Sequence, residues 1–408
     1  MASLFRVGVC RFVGKNGNNL LLKNDNPTTH LLRTITSKTM MKGDRPKKPE
    51  PYPYNTKKYG FLKSLIDRTT PRMDENSKLL VVEGPIAAGK SKFAQELAKE
   101  MGMLYLPEAN LDMYYINDYG FDLRTLDNEM PEGCKSFDVM DFMRNPQNML
   151  TARMQLEIYE IKFSQYIDAL AHILSTGQGV VLDRCVLSDY VFTEAMYSSG
   201  YLSKRARRKY YEYRDNTVRE LLRPHLVIYL DMPVKKVMEN VQKRGISWEK
   251  NSPVITPKYL ECMEKVYKQE YLKTISTHSE LLVYDWSEQG EVEIIIEDIE
   301  RIDFDNYDYQ DPKMKDWDLA REEDWNVLRR LYADQKEKLM SLFNIPCYEV
   351  PELMIEAEDA DRYYQVLQSA PGMKYDKGYN VDQGDQGVLL KSSNPPRNTL
   401  PLRERRQL

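Results

Sequence analysis

The chain is poor in the features that mark several large protein classes. Its longest apolar runs, LLVVEG, HLVIYL and ELLVYDW, are strand-sized and fall well short of the roughly 20 residues a bilayer-spanning helix takes. No segment reads as a transmembrane helix. The five cysteines (Cys10, Cys134, Cys185, Cys262, Cys347) form no CxxC pair, and the four histidines show no zinc-like spacing. Reduced thiols in a reducing compartment and no structural zinc are therefore expected. Without cysteine clusters, or a GxGxxG after a strand, neither iron–sulfur clusters nor flavin or dinucleotide chemistry is expected of this chain. A net charge of −4 argues against a nucleic-acid scaffold.

What is present is unevenly distributed. Acids are scarce in the first 48 residues, which carry Arg6, Arg11, Lys15, Lys23, Arg33, Lys38, Lys42, Arg45, Lys47 and Lys48 against Asp25 and Asp44. With apolar residues interleaved in MASLFRVGVCRFVG, residues 1–42 read as a mitochondrial transit peptide, cut between Arg33 and Lys42. A basic tail without a targeting role is the alternative. Residues 43–77 open with GDRPKKPEPYPYNTKKY, a proline-rich linker or extended arm, and the folded body is expected to start after it.

From residue 78 to 286, apolar runs alternate with helix-compatible segments: KLLVVEG, GMLYLPE, GVVLDR, HLVIYLDMP and ELLVYDW. Five buried-type strands separated by helices predict an α/β, three-layer fold with a five-stranded parallel sheet. Helical spacing is clearest in SKFAQELAKEM, closed by Gly102, and in the segment from Pro146 to Thr176, closed by Gly177. Residues 287–408 form a C-terminal helical and irregular extension. It holds an acidic stretch from Glu288 to Asp311, either a solvated face or a contact surface for a basic partner. An amphipathic helix from Trp317 to Phe343 follows, then a flexible tail from Pro371 closing on RERR.

Gly84-Pro-Ile-Ala-Ala-Gly89-Lys90-Ser91 satisfies G-x-x-x-x-G-K-[ST] in full, between a strand and a helix. Such a loop turns successive backbone N–H groups inward on phosphates. Lys90 adds a point charge, and Ser91 offers a hydroxyl to Mg²⁺. Glu108 and Asp183-Arg184 follow the second and third strands, at the carboxyl ends where ligands bind in open α/β sheets. A glutamate there can accept a hydroxyl proton, and an arginine can stabilise phosphoryl charge. The alternative is that these groups cap helices or pair with surface cations.

The loop, the Pro-Glu ending at Glu108, VLDRCVLSDYVFTEAMY and HLVIYLDMP together resemble the deoxynucleoside kinases over Lys78 to Trp286. The resemblance implies ATP-dependent phosphorylation of a nucleoside 5′-hydroxyl, with Glu108 as base, Arg184 on phosphate, and Gly84, Ala87, Gly89, Lys90 and Ser91 holding the nucleotide and its Mg²⁺. It also implies a nucleoside pocket formed by Gln155, Lys162, Asp183, Asp189 and Phe192. Several positions depart from the family pattern. Ala87 replaces a glycine, Lys162 replaces an arginine, and Cys185 replaces the serine of an acidic-Arg-Ser triplet. The lid that usually reads R-x-R is Arg244-Gly245-Ile246, one cation short. A long insertion lies between Leu106 and Pro146. With the basic start and the aromatic-acidic extension, these departures resemble the kinase-like accessory subunits of mitochondrial complex I (NADH:ubiquinone oxidoreductase). That resemblance implies a non-catalytic subunit, peripheral on the matrix side of the inner membrane. Its partners would be other subunits of the complex, and a nucleotide with Mg²⁺ would occupy the old site. An active mitochondrial deoxynucleoside kinase is the alternative.

Overall fold

A computed structural model describes residues 35–38, 48–288, 290–305, 307 and 310–389. The rest of the basic first segment and the closing RERR lie outside the described residues. Five strands, β1 (Leu79–Glu83), β2 (Leu104–Leu106), β3 (Val180–Asp183), β4 (Leu226–Asp231) and β5 (Glu280–Asp285), form one sheet in the order β2-β3-β1-β4-β5. Every pairing is parallel, with Leu79 opposite Val180 and Leu80 opposite Leu226. All five residues of β1 and all four of β3 are buried, because helices cover both faces of a parallel sheet. That is why these strands read as unbroken apolar runs and not as alternating ones.

The loop helix, Lys90–Met101, buries Phe93, Ala94, Leu97, Ala98 and Met101 at the spacing of one helical face. It ends on left-handed Gly102, with Met103 N–H donating to the Ala98 carbonyl at 2.9 Å, a glycine-terminated cap. The central helix runs from Thr151 to Thr176, starting later than the expected Pro146. The Asn148 side chain accepts from Leu150 N–H at 2.9 Å and holds residues 146–150 in a turn instead. Gly177 closes it with φ +72°, and an added Cβ there would lie 1.9 Å from the Arg72 carbonyl oxygen. The backbone of the arm can approach only because position 177 has no side chain.

The expectation that the body starts after Tyr59 is corrected by the packing. Ile35 is 1% exposed and joins the main core, so the edge of the folded body lies no later than Ile35. Tyr52, Tyr59, Thr69 and Arg72 are buried as well. The arm is extended through its prolines, then forms the short helix Phe61–Ile66, and it docks on the C-terminal extension. The tyrosines that punctuate the prolines supply the apolar area that a solvated linker lacks.

The amphipathic stretch from Trp317 is not one helix. It divides into Glu322–Asp334 and Lys336–Met340, broken at Gln335. Within the acidic stretch, the helix Val292–Glu300 buries Ile295, Ile296 and Ile299, so one face is core and the acids occupy the other. A helix not foreseen, Ala357–Ser369, precedes the tail. As far as Asp385 that tail is corrected from flexible to anchored, while Leu389 is 94% exposed. Asn380 is fully buried, and Tyr119 of the insertion meets Asp385, Gly378 and Asn380. Polar side chains alone signal solvent, but here the insertion supplies their hydrogen-bond partners.

Candidate functional site

A cavity of about 520 Å³ opens at the carboxyl ends of the strands, within the range of small-molecule sites. Ala87, Gly89, Lys90, Ser91, Glu108, Gln155, Lys162, Arg184, Asp189, Phe192 and Arg244 all line it. Gly84 and Asp183 do not. Gly84 sits at the foot of the loop with φ +150°, where an added Cβ would lie 2.7 Å from the Leu230 carbonyl oxygen. A side chain at that position would push β1 away from β4. Asp183 lies behind the loop helix, 1% exposed, and accepts a short hydrogen bond from the Ser91 hydroxyl. The structure therefore sets Asp183 on the phosphate side and not among the nucleoside-side residues.

Two ion pairs divide the floor, Arg184–Glu108 with its carboxylate half-buried and Lys162–Asp189 fully buried. Arg184 clamps Glu108 with Nη1 at 2.6 and 2.8 Å from the two carboxylate oxygens, and its Nη2 donates to the Gly84 carbonyl at 3.1 Å. Burial alone would raise the Glu108 pKa, but Arg184, Lys162 and Lys90 outweigh it and hold the carboxyl at about 2. Lys162 meets Asp189 at 2.7 Å, and Asp189 also accepts from Gln155 and Tyr210, both at 2.8 Å. The amide nitrogen of Gln155 is thus committed within the protein, leaving its carbonyl oxygen as the group to meet a ligand. Phe192 lies between the two pairs, with Lys162 Nζ and the Arg184 guanidinium each 4.9 Å from its ring centroid, a cation–π arrangement on both sides.

At the loop, Lys90 is 6% exposed and donates to the Pro85 carbonyl at 2.8 Å. Burial, reinforced by Arg184, pulls its pKa down to about 8. Across the cavity Arg244 is bound through Nε and Nη2 by Glu249, itself buried, so the one lid arginine already has a counter-ion.

Sequence reasoning passed over Glu83. This carboxylate ends β1 fully buried, accepting from Ser188 Oγ at 2.6 Å, Cys185 N–H at 3.2 Å and Tyr267 hydroxyl at 3.2 Å. Burial pushes its pKa up. An acid inside the apolar run LLVVEG was the available signal. The pairing of Arg244 with Glu249, five residues on, was likewise not foreseen.

Comparison with known proteins agrees with this geometry. The deoxynucleoside kinase family model matches residues 80–317. The mitochondrial NADH dehydrogenase [ubiquinone] 1 alpha subcomplex subunit 10 of Mus musculus is 38% identical over 338 residues, covering 82% of this chain and 90% of the relative. Its counterpart from Bos taurus is 36% identical over 337 residues, 82% and 93% respectively. A deoxyguanosine kinase of Dictyostelium discoideum is 24% identical over 250 residues, 61% and 78%. The chain belongs to the deoxynucleoside kinase family and, within it, to the branch that its subunit 10 relatives represent.

Proposed function

We propose that this protein is a non-catalytic accessory subunit of mitochondrial respiratory complex I. In this reading it is peripheral on the matrix side of the inner membrane, where it supports assembly or stability through contacts with other subunits. The observation that carries the reading is the span of the likeness. The match to the subunit 10 proteins extends over 337–338 residues, well beyond the 80–317 shared with kinases at large, so what is common includes the extension. The site chemistry supports it. A general base works best with a pKa near the operating pH, whereas Glu108 sits at about 2 in the grip of Arg184. An arginine on the transferred phosphoryl group contributes about 10³-fold or more in rate, and Arg244 is held by Glu249.

A nucleotide with Mg²⁺ fits the residues present. Asp183 Oδ1 is buried without a hydrogen-bond partner, beside the Ser91 hydroxyl on Oδ2, the oxygen donor pair a loop-bound Mg²⁺ takes. Gly89, Lys90 and Ser91 would hold the phosphates, and Gln155 and Phe192 the base. Mg²⁺, when bound, would neutralise phosphate charge.

The test is fractionation of mitochondria in mild detergent. The protein is expected to co-migrate with NADH dehydrogenase activity, and recovery solely as a free matrix protein would overturn the reading. An active kinase is the second reading, favoured by the convergence of Lys90, Ser91, Glu108 and Arg184 on one cavity. Phosphorylation of any common deoxynucleoside above the level of Lys90→Ala and Glu108→Gln controls would establish it.

A further inference from the structure

The helix Phe61–Ile66 is amphipathic in the wrong direction for a soluble surface. Phe61, Leu62, Leu65 and Ile66 occupy one face, at helical offsets of one, four and five residues from the first, and they are 62%, 76%, 64% and 80% exposed. No residue of the helix is buried. Its backbone is tied to the body: the Ser64 carbonyl accepts from Asn326 Nδ2 at 3.0 Å. The mount is firm, since Tyr59 N–H donates to Asp334 at 2.7 Å and the Thr69 hydroxyl to Asn326 at 2.7 Å. The apolar face is therefore held outward and cannot fold back. Val327 continues it, 54% exposed, and Arg330 lies over the Phe61 ring at 5.8 Å.

The rim of this patch is basic. Lys57, Lys58 and Lys63 are exposed and, among the described residues, none of them is in an ion pair. Of the neighbouring acids, Asp67 is engaged by Arg72 and Arg329, Glu322 by Thr69 and Thr70, and Asp334 by Tyr59; Glu323, one turn before Val327, is an exposed acid set against Lys57, Lys58, Lys63 and Arg330. In a chain of net charge −4 this face concentrates positive charge around bare hydrocarbon. A second copy docking here would set the lysines against themselves, and the chain's own basic first residues would be repelled as well. The occupant must be anionic and must accept apolar side chains.

We propose that the Phe61–Ile66 helix is an interfacial anchor that lays its apolar face into a bilayer of anionic phospholipid, with Lys57, Lys58 and Lys63 at the headgroups. A raised apolar ridge flanked by long cationic side chains fits the boundary between headgroups and acyl chains. Lysines near such a surface contribute additively. The proposal rests on the reading of peripheral attachment only for which membrane is met.

The test uses the full chain and vesicles of phosphatidylcholine with about one-third phosphatidylglycerol, against phosphatidylcholine alone, a choice of lipid that supplies the negative surface. Amide hydrogen exchange reads residues 57–68 directly, so binding by the basic first segment does not confuse it. Slowed exchange there on anionic vesicles alone is expected. Leu62→Glu with Ile66→Glu should abolish the slowing and weaken vesicle binding at least about tenfold. Lys57, Lys58 and Lys63 changed to Glu together should weaken it about a hundredfold or more. These exposed positions leave the melting temperature as a check on folding. Vesicle binding without protection of residues 57–68, or binding unchanged in the Leu62/Ile66 variant, overturns the proposal. So does loss of the Leu62/Ile66 variant from the native complex when wild type shows no vesicle binding, since a protein then covers the face. Co-migration of wild type with the complex in that last case leaves the proposed function standing.

Discussion

Charged groups are buried in two places in this molecule, and the two are organised oppositely. Where the arm meets the helix Glu322–Asp334, Arg329 is fully buried with its guanidinium 3.7 Å from the Tyr59 ring centroid, 4.9 Å from that of Tyr52, and 3.0 Å from Asp67. Arg72 holds the other oxygen of Asp67 at 2.6 Å. In the cavity, by contrast, Lys90 has only a carbonyl to donate to, Asp183 keeps a buried oxygen without a partner, and Glu108 remains about one-third exposed. The junction's charges are paired with one another and act as structure, although Arg329 Nε is itself buried without a hydrogen-bond partner. The cavity's charges leave an ammonium without a carboxylate and a carboxylate oxygen without a donor, the deficit that the proposed magnesium nucleotide would fill.

The comparison breaks most sharply at Arg329. Arg329→Ala leaves Tyr52, Tyr59 and Asp67 around a void and removes a buried pair, which should cost about 3–5 kcal/mol, read by urea unfolding. Arg329→Met should recover a good part of that, because Arg72 still neutralises Asp67. Equal losses in the two variants would mean that the charge, and not the packing, holds the arm.

Lys90 should behave in the opposite sense. Its folded pKa of about 8 lies below the ordinary 10.5, so between those values the unfolded chain binds more protons and stability rises with pH. At pH 7 the buried ammonium is a burden. Lys90→Met should therefore stabilise the protein there by about 2–3 kcal/mol, flatten the rise between pH 8 and 10.5, and abolish the rise in melting temperature that the proposed binding of magnesium nucleotide would give. A variant less stable than wild type at pH 7 would put the cradle in the same class as the Arg329 junction.

The sheet and the cradle were legible because their signals are local. A run such as LLVVEG has to be a doubly covered strand, and a glycine-framed loop ending in Lys90-Ser91 has few structural alternatives. Contacts between distant segments were not legible. Nothing in PYPYNTKKY says that Tyr59 lies against Arg329, 270 residues on, and nothing in the glycine-rich tail says that Tyr119 gathers Asn380 and Asp385. Composition scores such segments as solvated, because it counts polar groups without knowing whether partners exist. Asp183 was placed on the wrong side of the cavity for a related reason. A strand-end carboxylate can point to either neighbour, and only the Ser91 contact decides which.

The smallest expected effect bears on the cradle alone. Among the described residues, Ala87, Arg184 and Met314 are the non-glycine residues with positive φ, and the first two line the cavity. Ala87 has φ +56°, a left-handed conformation that places its Cβ against the backbone at a cost of about 1–2 kcal/mol. The Asn240 side chain holds the turn by donating to the Ala87 carbonyl at 3.2 Å, so the strain is sustained by the surroundings. Ala87→Gly removes it but gives the unfolded chain more freedom, which returns about 0.4–1 kcal/mol. The net expectation is a gain of about 0.5–1 kcal/mol in urea unfolding. With no change in the Lys90 environment, the rise of stability between pH 8 and 10.5 should be retained. If Ala87→Gly leaves stability unchanged or lowers it, the turn is not strained in solution. The cradle would then stand as fully settled structure, no different in kind from the arm junction.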